Sequence, residues 1–264
     1  MSEAKSGGTP HSASLHAGYE PKNEILMKIF FAGAGGVIGR RLTPLLRGAG
    51  HTVVGTTRSK DKAAALTALG AEPVVVDVFD TEALARAVKA AAPEVLMHQL
   101  TDLPFAPGTP RYDEALERNA RLRVAGTRNL ADAAKAAGVL RMISQSIAFV
   151  YAPGEGVRAE TDPLDLSATG ARKRTVEGVV ALEKATLDLP EGVVLRYGYL
   201  YGPGTWFVDA KRSKPALHVD AAAWAALLAV SKGKHGVYNI AEDDGVISSE
   251  KAKRDLGFDA GFRI

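Results

Sequence analysis

Three glycines stand at a spacing of three in Phe30-Phe31-Ala32-Gly33-Ala34-Gly35-Gly36-Val37-Ile38-Gly39-Arg40-Arg41-Leu42. Bare backbone at that spacing can cradle a phosphate. Gly33 allows the tight turn, Gly36 lets the backbone approach a pyrophosphate, and Gly39 lets a helix pack closely on a strand. A positive φ is expected at Gly36. The amides of Gly35, Val37 and Ile38 belong to the same loop, where a helix N-terminus offers free N–H groups and positive dipole charge. Glycine-rich turns are common, so the flanks decide. Ile25 to Ala32 reads as a buried strand, and Arg40 to Arg47 as the start of a helix with Leu42, Leu45 and Leu46 on one face. Strand, turn and helix together imply a bound dinucleotide.

About 20 residues beyond such glycines an Asp or Glu ordinarily holds the ribose 2′-hydroxyl of NAD. Here the strand Thr52 to Thr57 runs into Arg58-Ser59-Lys60, with no carboxylate. The fork of Arg58, with Ser59 beside it, suits a 2′-phosphate, so NADP is expected rather than NAD. The plainer alternative is a solvated Arg58 that opens the next helix. Asp77-Val78 follows the next strand. It either meets the adenine ring, with the carboxylate accepting from the exocyclic amine, or caps a helix.

These groups need elements to position them. After Thr52 to Thr57 come a helix over Asp61 to Leu69, a strand over Pro73 to Asp77, and a helix over Thr81 to Ala91. A strand over Val95 to Leu100 precedes a long helix from Tyr112 to Ala137. Strands over Arg141 to Ser146 and Val193 to Tyr197 flank a helix over Gly178 to Thr186. Continuous apolar strands alternating with helices predict an α/β, doubly wound parallel sheet of Rossmann type. Ligands bind such sheets outside the carboxyl ends of the strands.

The chain has 264 residues and 46% hydrophobic content, enough for one large core. No cysteine is present, which excludes thiolate nucleophiles, thiolate metal sites and disulfides, and fits a reducing cytoplasm. The net charge of +3 is small and spread, without basic blocks, so nucleic-acid binding is not indicated. No apolar run reaches membrane-spanning length. Residues 1–26, rich in Ser, Gly, His, Lys and Pro, read as a disordered tail. Residues 27–264 then form one dinucleotide-binding domain.

The order of motifs from Met27 onward resembles the short-chain dehydrogenase/reductase superfamily, extended or atypical branch, often described as NAD-dependent epimerase/dehydratase. The resemblance rests on Gly33-x-x-Gly36-x-x-Gly39, Asp77-Val78, His98-Gln99-Leu100-Thr101 and Gly126-Thr127-Arg128-Asn129-Leu130. It rests also on Val150-Tyr151, Leu195-Arg196-Tyr197-Gly198-Tyr199-Leu200-Tyr201-Gly202-Pro203-Gly204, Leu217-His218-Val219-Asp220 and Ser249 to Phe258. It implies that Gln99, Leu100, Thr101 and Tyr197 border the cofactor.

The departures concern proton transfer. The family's machinery is a Ser or Thr followed by Tyr-x-x-x-Lys, where the Tyr exchanges a proton with the substrate oxygen and the Lys lowers its pKa. No Tyr-x-x-x-Lys occurs here. Anchoring on Glu183 puts Thr175 in the Tyr position and Val179 in the Lys position. Ile147 takes the place of the Ser, with Ser146 one residue earlier. The Asn that often precedes the Gly-Thr element is Arg123. The strand end carrying Tyr199 is expected to face the nicotinamide. Tyr199 is therefore either a substitute acid or a packed aromatic, and Ser144 or Ser146 could orient a substrate carbonyl. Without a neighbouring Lys, a Tyr near its ordinary pKa of about 10 is a poor base but a usable hydrogen-bond donor. The segments from Thr205 to Leu217 and from Ala241 to Ser248 are short, so the C-terminal substrate lobe is reduced. A small-molecule substrate fits it better than a sugar nucleotide, or a second subunit completes the site as a homodimer. The expected activity is an NADP-dependent oxidoreductase on a small carbonyl or hydroxyl compound. An epimerase- or dehydratase-type isomerase or lyase, or a non-catalytic dinucleotide-binding regulator, remains the alternative.

Overall fold

Runs such as Ile29-Phe30-Phe31-Ala32 are buried on both sides, so a strand built from them needs cover on both faces. A computed structural model describes residues 25–208, 211 and 213–264. All but the last two residues of the N-terminal tail expected at 1–26 lie outside that description.

The strands are β1 (Lys28–Ala32), β2 (Thr52–Thr57), β3 (Glu72–Val75), β4 (Val95–His98), β5 (Arg141–Ile147), β6 (Glu191–Tyr197), β7 (Tyr199–Tyr201), β8 (Ala216–His218) and β9 (Gly236–Ile240). Seven of them form one sheet in the order β3-β2-β1-β4-β5-β6-β9, with every pairing parallel. β7 and β8 make a small separate parallel pair. The helices are α1 (Gly39–Gly48), α2 (Ala63–Ala68), α3 (Thr81–Ala91), α4 (Tyr112–Arg121), α5 (Thr127–Ala136), α6 (Gly170–Leu187), α7 (Val219–Ser231) and α8 (Glu250–Leu256). One face of the sheet packs its core on α1, α2, α7 and α8. The other face packs on α3 and α5, with α6 against β5 and β6. The fold is the doubly wound Rossmann type. Its order reverses between β1 and β4, where the crevice for a ligand opens.

Several boundaries differ from the sequence reading in ways that shape the site. β1 starts at Lys28, because Ile25 and Leu26 are exposed rather than buried. β3 stops at Val75 and β4 at His98. Asp77 and Gln99 to Thr101 therefore lie beyond the strand ends, in the crevice. The long helix after β4 is interrupted by a π-helical segment, Leu122–Gly126. Such a segment inserts an extra residue and re-aims the side chains around it. α7 has no polar stripe, since eleven of its residues are buried. Helical periodicity cannot announce a helix that is apolar on every side.

Candidate active site

The nucleotide end is built by α1 and the carboxyl ends of β1 to β4. Gly33 sits at φ +108°, and a Cβ there would lie 2.7 Å from the Gln99 carbonyl carbon. Two strand-end loops touch at that point, so only glycine fits. A Cβ on Gly39 would run into the carbonyl oxygens of Gly33 and Ala34. The expected positive φ at Gly36 is not found. The left-handed turn belongs to Gly33, because that is where the chain reverses out of β1. Gly36 is exposed together with Gly35, and a Cβ on it would meet only the Gly33 carbonyl, at 3.2 Å. Ile38 at the head of α1 provides no side-chain cap, and the first turn carries no acid. Among the described residues, the Val37 and Ile38 amides donate to no backbone carbonyl. This helix end is open to an anion.

A cleft of about 430 Å³ is lined by Arg58, Asp77, Phe79, Asp102, Arg118 and Arg121. Arg58 is exposed, and among the described residues it forms no hydrogen bond or ion pair. The hydroxyl of neighbouring Thr57 accepts from the Ser59 amide at 3.2 Å. One Asp77 oxygen accepts from the Phe79 amide at 2.9 Å. Capping of α3 falls to Asp80, which accepts from the Ala83 amide at 3.0 Å, so the capping alternative for Asp77 is set aside. Val78 is buried, and its carbonyl accepts from Asn129 Nδ2 at 2.8 Å. The Arg121 guanidinium lies 4.4 Å above the Phe79 ring. At the next strand end Thr101 is exposed and Leu100 half-buried. Both polar atoms of the Gln99 amide are buried and make no hydrogen bond of ordinary geometry. Open amides and bare glycines stand at one strand end and an unpaired guanidinium at the next, a set of groups that fits a dinucleotide.

The reaction end lies across β5, β6 and β9, and here most polar groups satisfy one another. Glu183 of α6 accepts from Ser146 Oγ at 2.8 Å and from Arg196 Nε and Nη2 at 2.8 and 2.7 Å. Arg196 Nη1 donates to the Tyr151 hydroxyl at 2.8 Å, which donates to Asn239 Oδ1 at 2.6 Å. Burial works against the Arg196 charge, and the Glu183 carboxylate outweighs it. Ser144 is fully buried, its Oγ accepting from Thr186 Oγ1 at 2.7 Å. Both serines thus face α6 rather than the crevice. Tyr197 is another core side chain, 1% exposed against α7, its hydroxyl donating to the Ala222 carbonyl at 3.3 Å with the Gln99 amide beside it. It has no surface to offer a cofactor.

The positions matched to the family's proton-transfer pair are inert. Thr175 Oγ1 donates to the Ala171 carbonyl at 3.2 Å, within its own helix, and Val179 is fully buried. Tyr199 is half-buried and lies flat on Phe149, with ring centroids 3.9 Å apart and planes at 9°. Burial raises its phenol, as does nearby Tyr112, so it stays protonated near neutral pH. Tyr112 meets Trp206 edge-on at 6.4 Å. These rings form two aromatic pairs, Phe149 with Tyr199 and Tyr112 with Trp206.

The residue that sequence reasoning passed over is Arg123. It sits in the π-helical segment and is 8% exposed, and no described residue forms a hydrogen bond or ion pair with it. Burial pulls its pKa down to about 10, with Glu183 and Tyr112 opposing. It remains charged at neutral pH. Nearby His98 is neutral. Its Nδ1 accepts from the Leu100 amide and its Nε2 meets Thr127 Oγ1 at 3.0 Å, while burial and then Arg123 bring its pKa to about 4. The substitution of Arg123 for the family's Asn was the available signal. Its burial without a counter-ion could not be read from sequence.

Comparison with known proteins agrees with this geometry. The model of the NAD-dependent epimerase/dehydratase family matches residues 29–256. A Streptomyces protein named 3-diazoavenalumate denitrifying reductase is 40% identical over 240 residues, covering 83% of this chain and 77% of its own length. Among solved structures, UDP-glucose 4-epimerase of Thermotoga maritima, determined with UDP-glucose, superposes with a TM-score of 0.70 at 18% identity. That match covers 90% of this chain and 94% of the other. The enzyme WbmG of Bordetella bronchiseptica, determined with NAD, superposes with a TM-score of 0.68 at 19% identity, covering 91% of each chain. Among the described residues no helix is long and apolar enough to cross a membrane. The strand order, the glycine cradle and the match along nearly the whole chain place this protein in the NAD-dependent epimerase/dehydratase family of dinucleotide-dependent enzymes.

Proposed function

We propose that this chain is an NADP-dependent reductase of a small, flat carboxylate bearing a diazo group, which it reduces with loss of nitrogen. One observation carries the reading. The dinucleotide cradle is whole, while the proton-transfer pair is replaced by a hydroxyl bonded to its own helix and a buried valine. A carbonyl reductase must protonate the oxygen it reduces. A diazonium group need not be protonated. One hydride balances its single positive charge and leaves a carbon–hydrogen bond and dinitrogen. The relative that is 40% identical is named for a diazo-substituted carboxylate and for reductive loss of nitrogen, which supports this substrate class.

The bound cofactor supplies the hydride. The chain's own residues bind and orient. The loop amides and the α1 N-terminus hold the pyrophosphate, Arg58 meets the 2′-phosphate, and Asp77 accepts from the adenine amine. The paired rings of Phe149 with Tyr199 and Tyr112 with Trp206 offer a flat substrate apolar surface to lie against. Ser144 and Ser146 hold the floor of the site by their bonds to α6.

The test is turnover of 4-diazobenzoate with NADPH carrying deuterium at the transferable position of nicotinamide C4, against an enzyme-free control. Enzyme-dependent deuterium in the benzoate product supports the proposal. Turnover of carbonyl compounds with none of the diazonium overturns it. NADPH is expected to bind more tightly than NADH. Arg58→Ala should cost about tenfold in NADPH affinity, roughly 1.4 kcal/mol, and leave NADH unchanged. Equal or tighter NADH binding by wild type would move the cofactor assignment to NAD, and a preference that survives in Arg58→Ala would move the 2′-phosphate contact off Arg58.

A further inference from the structure

We infer that Arg123 is the anion-recognition residue of the substrate cleft and grips the substrate's carboxylate with its guanidinium fork. The inference rests on the reductase reading for what the substrate is. The site itself stands on a buried guanidinium that has no direct partner among the described residues.

Arg123, Arg196 and Glu183 are packed together here, with Glu160 beyond them accepting from the Asn239 amide. Glu183 points both oxygens at Arg196 and Ser146 and reaches Arg123 only through its charge, with no direct ion pair between them. His98 is neutral, with both ring nitrogens engaged by neutral groups. Tyr112 is a neutral phenol raised by its own burial. Arg123 is thus a buried guanidinium with no direct ion pair or side-chain hydrogen bond among the described residues, supported only at a distance by Glu183. Burying such a charge without a partner is unfavourable. A planar anion supplies the missing partner through two parallel hydrogen bonds.

The placement suits a substrate better than the cofactor's phosphates. The π-helical segment re-aims Arg123 over Gly178 of α6, where a Cβ would sit 3.4 Å from both its Cβ and its Cδ. Gly178 adjoins Val179, the position at which the family's lysine is missing. A positive charge has been lost from one element and gained on another that packs against it. Unlike a lysine, the guanidinium presents a fork, and it neighbours Tyr112. Its nitrogens keep what little exposure the residue has, since none is both buried and unsatisfied.

The experiment is calorimetric titration of the NADP⁺-saturated full chain with cinnamate and with its uncharged analogue cinnamamide. Wild type should bind cinnamate at least tenfold more tightly. Arg123→Met should erase the difference, and Arg123→Lys should retain part of it. NADP⁺ affinity should stay within about twofold in both variants. The melting temperature of Arg123→Met should equal or exceed that of wild type, which a merely structural arginine would not allow. Equal binding of acid and amide by wild type overturns the inference, whatever the variants do. A preference that survives in Arg123→Met overturns it too, as does a loss confined to NADP⁺ affinity. The same pair of titrations on cofactor-free chain separates the two readings. A carboxylate preference found where neither NADP⁺ nor NAD⁺ binds keeps the anion site and sinks the reductase.

Discussion

The two halves of the sheet treat polar groups in opposite ways. On the β1-β2-β3 side, groups that could bond are left open: the Val37 and Ile38 amides and the Arg58 guanidinium. On the β5-β6-β9 side, Ser146, Glu183, Arg196, Tyr151 and Asn239 close on one another in a single buried chain of hydrogen bonds. Unsatisfied polar groups carry a cost that a ligand can relieve, so the first side is organised to bind. Satisfied ones hold shape and move no protons, so the second side is organised as a floor. The second side keeps exceptions: Asn239 Nδ2 is buried without a partner, and the buried Arg123 guanidinium has no direct ion pair among the described residues.

The largest expected effect tests the closed half. Glu183→Leu leaves the Arg196 charge buried and Ser146 without a partner. Removing one member of a buried pair typically costs 3–5 kcal/mol, which for a chain of this size lowers the melting point by roughly 10 °C. Chemical denaturation should show that loss, and the double variant Glu183→Leu with Arg196→Met should recover most of it. A loss below about 1 kcal/mol would mean that the network is not a structural floor.

The open half should respond in binding rather than in stability. At Gly36 a side chain faces the crevice and meets only the Gly33 carbonyl, at 3.2 Å, so Gly36→Val should fold. Its methyls would take the space of the pyrophosphate. NADPH affinity should fall roughly a hundredfold, about 2.7 kcal/mol, while the circular dichroism spectrum and melting point stay close to wild type. Unchanged affinity would move the phosphate site elsewhere. A collapsed fold would show the loop to be less open than its exposure indicates.

The open half was the legible one. Its function needs bare backbone at fixed spacing beside a strand end, and glycine spacing, strand pattern and Arg58 are all local features of the sequence. Even there the left-handed turn proved to be at Gly33 rather than Gly36, since conformation follows from where the chain reverses. The closed half joins residues as far apart as Tyr151 and Asn239, 88 positions. No local pattern could say that Ser146 faces Glu183 instead of a ligand, or that Tyr197 faces α7. The absence of Tyr-x-x-x-Lys was plain from the sequence. What replaced it was not, because the π-helical segment that aims Arg123 and the partners that Glu183 already holds are facts of packing.

The smallest expected effect is the most discriminating. Tyr199 was the leading substitute acid by sequence, and its ring now lies flat on Phe149 at 3.9 Å with its phenol kept protonated by burial. If hydride alone completes the reaction, its hydroxyl contributes little and its ring contributes binding. Tyr199→Phe should then keep kcat/KM within about threefold, and Tyr199→Ala should raise KM by roughly tenfold with little change in kcat, the pattern of lost uniform binding. General acid catalysis is ordinarily worth about 10²–10⁴-fold. A loss of that size in Tyr199→Phe, on a substrate that accepts hydride, would restore Tyr199 as the proton donor. It would also open the closed half of the site to proton chemistry. The pH profile gives an independent check: with no phenol as donor, kcat should show no alkaline limb that disappears in Tyr199→Phe.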